Sequence, residues 1–293
     1  MEKINKVAII TNYNITEKAL AAATVADKFI KFGCEVLIFA SAKERLSRLR
    51  RLRPEFVFAS VDEVYAGADI LVILGGDGTI LEGARRAALT GTPILGINLG
   101  RLGFMAELEM DEIGLLSRLF DGNYSIDERA MLGVEMIDTK GQRKLASFAL
   151  NDAVVTGGSV ARIVDLELLE GGEQVTTYRA DGLIVATPTG STAYSMSAGG
   201  AICDPSLACF CVTPICPHSL TARPLIFPDS ATLEIRNICE REKNLFLTID
   251  GRTNYELMRG ETVRITKSAR KTKLITLRER GFYNVLRQKM TNG

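Results

Sequence analysis

Short, almost wholly apolar runs punctuate the first part of the chain. Val7 to Thr11, Glu35 to Ala40, Ile70 to Leu74 and Pro93 to Asn98 each read as a buried strand. Between them, Glu17 to Lys31 carries Leu20, Ala23, Ala26 and Ile30 at three- to four-residue spacing, and Ile80 to Leu89 is helix-like. Strands that lack polar alternation are covered on both faces, so this pattern predicts a parallel sheet with flanking helices. The texture changes near Asp121-Gly122-Asn123. Helical periods become scarce, and short β-like runs follow at Leu132 to Ile137, Leu145 to Leu150, Ile163 to Leu169, Gly182 to Ala186, Thr232 to Ile235, Leu245 to Ile249 and Val263 to Thr266. Turn signals such as Glu170-Gly171-Gly172 separate some of them, which predicts a sandwich. In the tail, Phe282, Val285, Leu286 and Met290 return to helical spacing and are expected to pack back on the first domain.

The expected fold class is therefore α/β plus all-β. An N-terminal parallel-sheet α/β domain would span residues 1–121, joined by the tail 278–293, and a C-terminal β-sandwich domain would span 122–277. A length of 293 residues agrees with two cores rather than one. No internal repeat is visible.

Composition narrows the function classes. Lys plus Arg is 36 against 35 Asp plus Glu, a net charge of +1, which argues against a general nucleic-acid binder. No apolar run is long enough to span a bilayer. The stretch Val7 to Ile10 is too short for a secretory signal, so a cytoplasmic protein without a membrane partner is expected. The cysteines Cys34, Cys203, Cys209, Cys211, Cys216 and Cys239 then read as reduced thiols. Cys209, Cys211, Cys216 and His218 invite a zinc reading, but their spacing is irregular and lacks a Cys-x-x-Cys pair, so no metal site is expected there. His218 is expected to order its own loop.

Two segments carry chemistry. Gly75-Gly76-Asp77-Gly78-Thr79 follows an apolar strand and precedes a helix. Glycines there bring backbone N–H groups close to a phosphate at the positive end of a helix. Asp77 would be repelled by that phosphate unless it bound a metal ion or accepted a proton from a hydroxyl, and both roles belong to phosphoryl transfer. The bland alternative is a tight turn with Asp77 capping the helix. The loop is neither a Walker A sequence nor a dinucleotide fingerprint. The second segment is Thr187-Pro188-Thr189-Gly190-Ser191-Thr192-Ala193-Tyr194-Ser195-Met196-Ser197, after Arg179-Ala180-Asp181-Gly182 and the strand Leu183 to Ala186. Small, hydroxylated residues suit a polar ligand loop, and Tyr194 offers a flat face for a base. Asn151-Asp152 could meet an adenine edge and ribose hydroxyls, although by itself such a pair reads as a turn.

Gly75 to Thr79, Gly100 to Phe104, Asn151-Asp152, Asp181-Gly182, Thr187 to Tyr194, Pro214 to Pro224 and Asp250-Gly251 together resemble the motifs of NAD kinases, in the same order. The resemblance covers most of the chain from about residue 70 onward. It implies transfer of a γ-phosphoryl group to the 2′-hydroxyl of the adenosine ribose of NAD, giving NADP. It implies Asp77 as proton acceptor, with Gly75, Gly76 and Thr79 in the phosphate loop. Gly78, Asn151, Asp152, Arg162, Arg179, Asp181, Thr192, Ala193, Tyr194, Ser195, Met196, Ser197 and Arg252 fall at ligand-contacting positions. It also implies a divalent metal, with magnesium the expected ion, ATP or polyphosphate as donor, and a homodimer or homotetramer. Two positions depart from the family pattern. Asp152 stands where Glu is common, one methylene shorter, and Arg252 stands where Gln is frequent. A lipid kinase of the diacylglycerol type and a non-catalytic dinucleotide sensor are the rival expectations.

Overall fold

A computed structural model describes residues 3–100, 103–158, 163–240, 244–278 and 281–291. Arg162 and Arg101 lie outside the described residues. In chain order the elements are β1 (Lys6–Ile10), α1 (Thr16–Lys31), β2 (Glu35–Phe39), α2 (Lys43–Arg48), β3 (Phe56–Ala59), α3 (Val61–Ala66), β4 (Ile70–Leu74), α4 (Asp77–Thr90), β5 (Ile94–Asn98), β6 (Leu108–Glu109), α5 (Ser117–Phe120) and β7 (Ser125–Ile137). There follow β8 (Arg143–Ala149), β9 (Asp152–Gly157), β10 (Val164–Glu170), β11 (Glu173–Ala180), β12 (Gly182–Ala186), α6 (Tyr194–Ser197), β13 (Cys209–Ile215), β14 (Leu225–Pro228), β15 (Leu233–Asn237), β16 (Asn244–Ile249), β17 (Thr253–Met258), β18 (Thr262–Thr276) and α7 (Phe282–Thr291).

The chain divides into two compact units, residues 1–128 with 272–293, and residues 129–271. In the first unit the strands run in the order β5-β4-β1-β2-β3, all parallel. The end of β18 joins this sheet at Leu274, beside Ile94 of β5. All five residues of β4, and likewise of β5, are buried, as expected for central parallel strands covered on both faces. Helix α1 buries Ala19, Ala22, Ala23, Val25, Ala26 and Phe29 against the sheet. The small alanines let it lie close, and Phe29 fills the remaining depth.

The second unit is antiparallel throughout. One sheet runs β11-β10-β15-β18, with β7 pairing β18 and β8. The other runs β14-β13-β12-β9-β16-β17. Inward residues from both sheets merge into one core that includes Val134, Val155, Leu166, Val185, Phe210, Ile235, Leu247 and Val263. Two faces packed on a shared core make a sandwich.

Several elements were not legible as strands or helices in advance. β3 is only four residues long and half exposed, and α2 before it sits in an arginine-rich stretch with little apolar periodicity. α4 starts at Asp77 rather than Ile80, because its first turn is built from the polar and glycine residues of the loop motif.

Candidate functional site

Helix α4 opens immediately after the glycine pair. Gly76 is its N-cap residue and supplies no side-chain cap, and the Thr79 N–H turns back onto Gly76 O at 2.9 Å. The space over Gly76 and Gly78 is open, whereas a Cβ on Gly75 would lie 2.6 Å from Thr79 Oγ1.

Asp77 does not cap its own helix. Its carboxylate turns to the segment after residue 102 and accepts from the Phe104 N–H at 2.9 Å and the Met105 N–H at 3.1 Å. Those two bonds use one site on each oxygen, and an ionised carboxylate offers about four. Lys289 of α7 places Nζ 3.9 Å from Asp77 Oδ2 and 4.4 Å above the Phe104 ring, and Phe104 packs on Phe282. The approach of the 103–105 backbone depends on Gly103, where a Cβ would lie 2.0 Å from Asp77 Oδ1.

In the second unit a different aspartate organises the loop. Asp250 and Gly251 both have positive φ, 49° and 67°, and the Arg252 N–H closes the turn onto Ile249 O at 3.1 Å. Two consecutive residues of this kind make the tight reversal that Asp-Gly favours between antiparallel strands. The Asp250 carboxylate then accepts three backbone N–H groups, from Leu150 at 3.0 Å, Asn151 at 2.8 Å and Asp152 at 3.2 Å. Asp152 itself is buried. Desolvation, and after it the Asp250 charge, pushes its carboxyl up to about 7.

Asn151 Oδ1 is buried and accepts no hydrogen bond. A buried carbonyl oxygen in that state is costly unless a ligand donor meets it. Over this pair lies the Thr187–Gly190 turn. Thr187 Oγ1 donates to Leu150 O at 2.5 Å, and the Thr187 N–H donates to Asn151 O at 2.9 Å. A Cβ on Gly190 would stand 2.0 Å from Asn151 O, so only glycine admits the contact. Arg129 Nη1 donates to Thr189 Oγ1 at 3.2 Å.

Beyond the turn, Thr192 bonds back to Thr189 O at 3.1 Å. Ser195 is buried, with its hydroxyl 3.0 Å from that of Thr213, whereas Tyr194 and Met196 present exposed side chains. Ala193 is half-buried and Ser197 exposed. The loop is thus pinned at Thr192 and Ser195 and open at Tyr194, Met196 and Ser197. Asp181 links β11 to β12, its N–H held by Ile215 O at 2.9 Å. Arg179 is exposed, 4.0 Å from Asp165, and lines a cleft of about 370 Å³ with Tyr178, Pro217 and Arg223. Arg252 is exposed on the Asp250 turn.

Within the second unit Asn151, Asp152, Asp250 and Thr187–Gly190 therefore come together, while Arg179 lies on a separate cleft. Three contributors were missed or undervalued in the sequence. Lys289 carries no motif signal of its own, and Gly103 lies in the Gly100 to Phe104 stretch that resembles the family without announcing its contact with Asp77. The Asp-Gly dipeptide at 250–251 announces a turn, but not that its carboxylate holds the backbone a hundred residues earlier. The grouping of Cys209, Cys211, Cys216 and His218 that the sequence brings up does not form. Cys216 and His218 are exposed, and Cys203 instead joins Cys209 and Cys211 in the interior.

Residues 7–124 match the family described as ATP-NAD kinase N-terminal domain, and residues 150–277 the family described as ATP-NAD kinase C-terminal domain. The NAD kinase of Citrifermentans bemidjiense is 40% identical over 273 residues, which cover 93% of this chain and 94% of that one. The NAD kinase of Heliobacterium modesticaldum is 45% identical over 226 residues, 77% of this chain and 79% of that one. Among solved structures, yeast NADH kinase complexed with NADH superposes with a TM-score of 0.86 at 25% identity, covering 99% of this chain and 88% of that one. An NAD kinase from Archaeoglobus fulgidus in complex with ATP shares the fold at a TM-score of 0.74 and 23% identity, over 98% of this chain and 99% of that one. With the parallel-sheet unit, the antiparallel unit and both motif loops in place, the chain belongs to the NAD kinase family.

Proposed function

We propose that the chain phosphorylates the 2′-hydroxyl of the adenosine ribose of NAD, giving NADP, with Asp77 as the proton acceptor. As an NAD kinase it is a phosphotransferase with an alcohol group as acceptor. The observation that carries the role of Asp77 is its clasp. Two backbone amides fix the carboxylate at the head of α4 while leaving acceptor capacity for a hydroxyl.

A ribose hydroxyl is a weak nucleophile at neutral pH. A carboxylate within hydrogen-bond reach takes its proton as the bond to phosphorus forms. The Gly76 and Gly78 backbone at the head of α4 receives the phosphate oxygens, and alignment supplies most of the rate. In the second unit, Asn151 Oδ1 accepts from the adenine amino group, Asp152 from ribose hydroxyls, and Tyr194 offers its face to a ring. Thr192, Ala193, Ser195, Met196 and Ser197 wrap the dinucleotide by backbone and side chain, and Arg179, Asp181 and Arg252 stand ready for its polar groups.

The family implies a divalent metal. Magnesium is commonly held by one or two carboxylates together with substrate phosphates rather than by a protein cage. The donor set fits that mode, because Asp77 offers a hard oxygen beside the phosphate loop and, among the described residues, the candidate cluster of three ligating groups consists of thiols. When bound, the ion neutralises charge on the transferred phosphoryl group.

ATP is the expected donor, with polyphosphate as the second to try. A homodimer or homotetramer in the cytoplasm completes the reading. No described helix is long and apolar enough to cross a membrane, and all six cysteines are free, as a reducing compartment would keep them. The hydroxyl-rich 187–197 loop weighs against the diacylglycerol-type kinase, which would call for an apolar entrance. Incubation with NAD, magnesium and each donor in turn tests the proposal by NADP formation. No conversion with any donor overturns it, and binding of NAD without conversion leaves a sensor in its place. Sedimentation of the purified chain checks the assembly.

A further inference from the structure

On β13 the side chains alternate. Phe210 and Val212 enter the sandwich core, while Cys209 and Cys211 face the other way. There they meet Cys203, which arrives from the segment after α6. The three sulfurs lie within 4.8 Å of one another, and those of Cys203 and Cys211 are 3.2 Å apart. All three residues are buried among Val154, Ile184 and Ala186, with Ala198 and Ile215 packed alongside. The group contains no histidine or carboxylate. The nucleotide chemistry leaves these thiols unused.

We propose that Cys203, Cys209 and Cys211 form a binding site for a trivalent thiophilic ion of the arsenite type, held by three sulfurs. Charge decides among the candidates. Three thiolates around a monovalent or divalent cation leave net negative charge among apolar side chains, which is costly. Around a trivalent centre they leave none. Geometry agrees. A tetrahedral zinc with bonds of about 2.3 Å keeps its sulfurs about 3.8 Å apart and asks for a fourth ligand. A trivalent pyramidal centre has narrower bond angles, draws its sulfurs closer, and places a lone pair where the fourth ligand would be.

The reaction is a condensation without redox change. Three S–H and three As–O bonds break, three As–S and three O–H bonds form, and three water molecules leave. The site also touches the nucleotide loop, because the Cys203 N–H donates to Ser191 Oγ at 2.9 Å and that hydroxyl donates to Pro188 O at 2.6 Å.

The test is native mass spectrometry of the whole chain with sodium arsenite as the probe. The expected product carries one arsenic and lacks three hydrogens. Cys203→Ala and Cys211→Val should each abolish it, and Cys216→Ser should retain it. Circular dichroism identifies any variant that fails to fold, and Cys209→Ala then serves in its place. An adduct that keeps a hydroxyl on arsenic would show only two sulfurs engaged and overturn the site. So would a three-sulfur adduct that survives the core substitutions, no adduct at all, or stoichiometric zinc retained in competition with arsenite.

Discussion

Gly103→Ala is a one-carbon change directed at the proton acceptor. The new Cβ would stand 2.0 Å from Asp77 Oδ1, 2.6 Å from its Cγ and 2.9 Å from Oδ2. Restoring an ordinary contact of about 3.4 Å requires the nearer oxygen to retreat by about 1.4 Å. The bonds to the Phe104 and Met105 amides, 2.9 and 3.1 Å long, do not survive that displacement. Each orphaned donor costs about 1–3 kcal/mol when buried. Asp77 is 36% exposed, so water replaces part of the loss, and a net destabilisation of about 1–2 kcal/mol is expected. Catalysis should suffer more. A misplacement on the order of 1 Å can cost about 10²-fold. Initial rates of NADP formation, with NAD affinity from calorimetry and Tm from circular dichroism, separate the two effects. The expected result is a kcat reduced by about 10²-fold, with NAD affinity nearly unchanged. A variant with kcat within about threefold of the parent and an unaltered Tm would refute the role given to this clasp.

Asp77→Asn keeps an acceptor for only one of the two backbone amides and cannot take a proton, so turnover should fall by about 10²- to 10⁴-fold while calorimetry still detects NAD. Asp152 holds its proton to about 7 in the folded chain against 3.8 as a reference. Its contribution to stability is therefore complete below 3.8 and is lost as pH rises through 7, a change on the order of 4 kcal/mol. Denaturant titrations across that window should show Asp152→Asn with a distinctly flatter profile, and parallel profiles would contradict the burial argument. Lys289→Met should alter stability by less than about 1 kcal/mol, since the Lys289–Asp77 pair is long and both partners are about a third exposed; a larger shift in the urea midpoint would mean the pair does more than its geometry implies.

Much of this was visible in the amino-acid order. Ile70 to Leu74 is apolar at every position because β4 is covered on both faces, and its boundaries agree with those read from the pattern. The run Gly182 to Ala186 is equally plain as β12. β11 was not, because its first five residues, Glu173 to Thr177, are polar apart from Val175 and none of them is buried. The site divides the same way. Motif order pointed to Asp77, Asn151 and the 187–197 loop, whose residue types announce their chemistry. The supports around them stood in family-like stretches, but their roles did not announce themselves. Gly103 matters because of an oxygen supplied by a residue 26 positions away, and Asp250 because three amides from another strand pair converge on it. Such long-range placements exist only once the sheets are assembled.

The Asp250 clasp also bears on the order in which the protein matures. Its bonds reach back 98 to 100 residues, so none can form until the β16–β17 hairpin has docked beside β9. Contacts of such separation are slow to close compared with local helices and turns. During refolding, far-UV ellipticity should recover well before the ability to capture dinucleotide, leaving an interval in which the chain is folded in outline and still blind to its substrate.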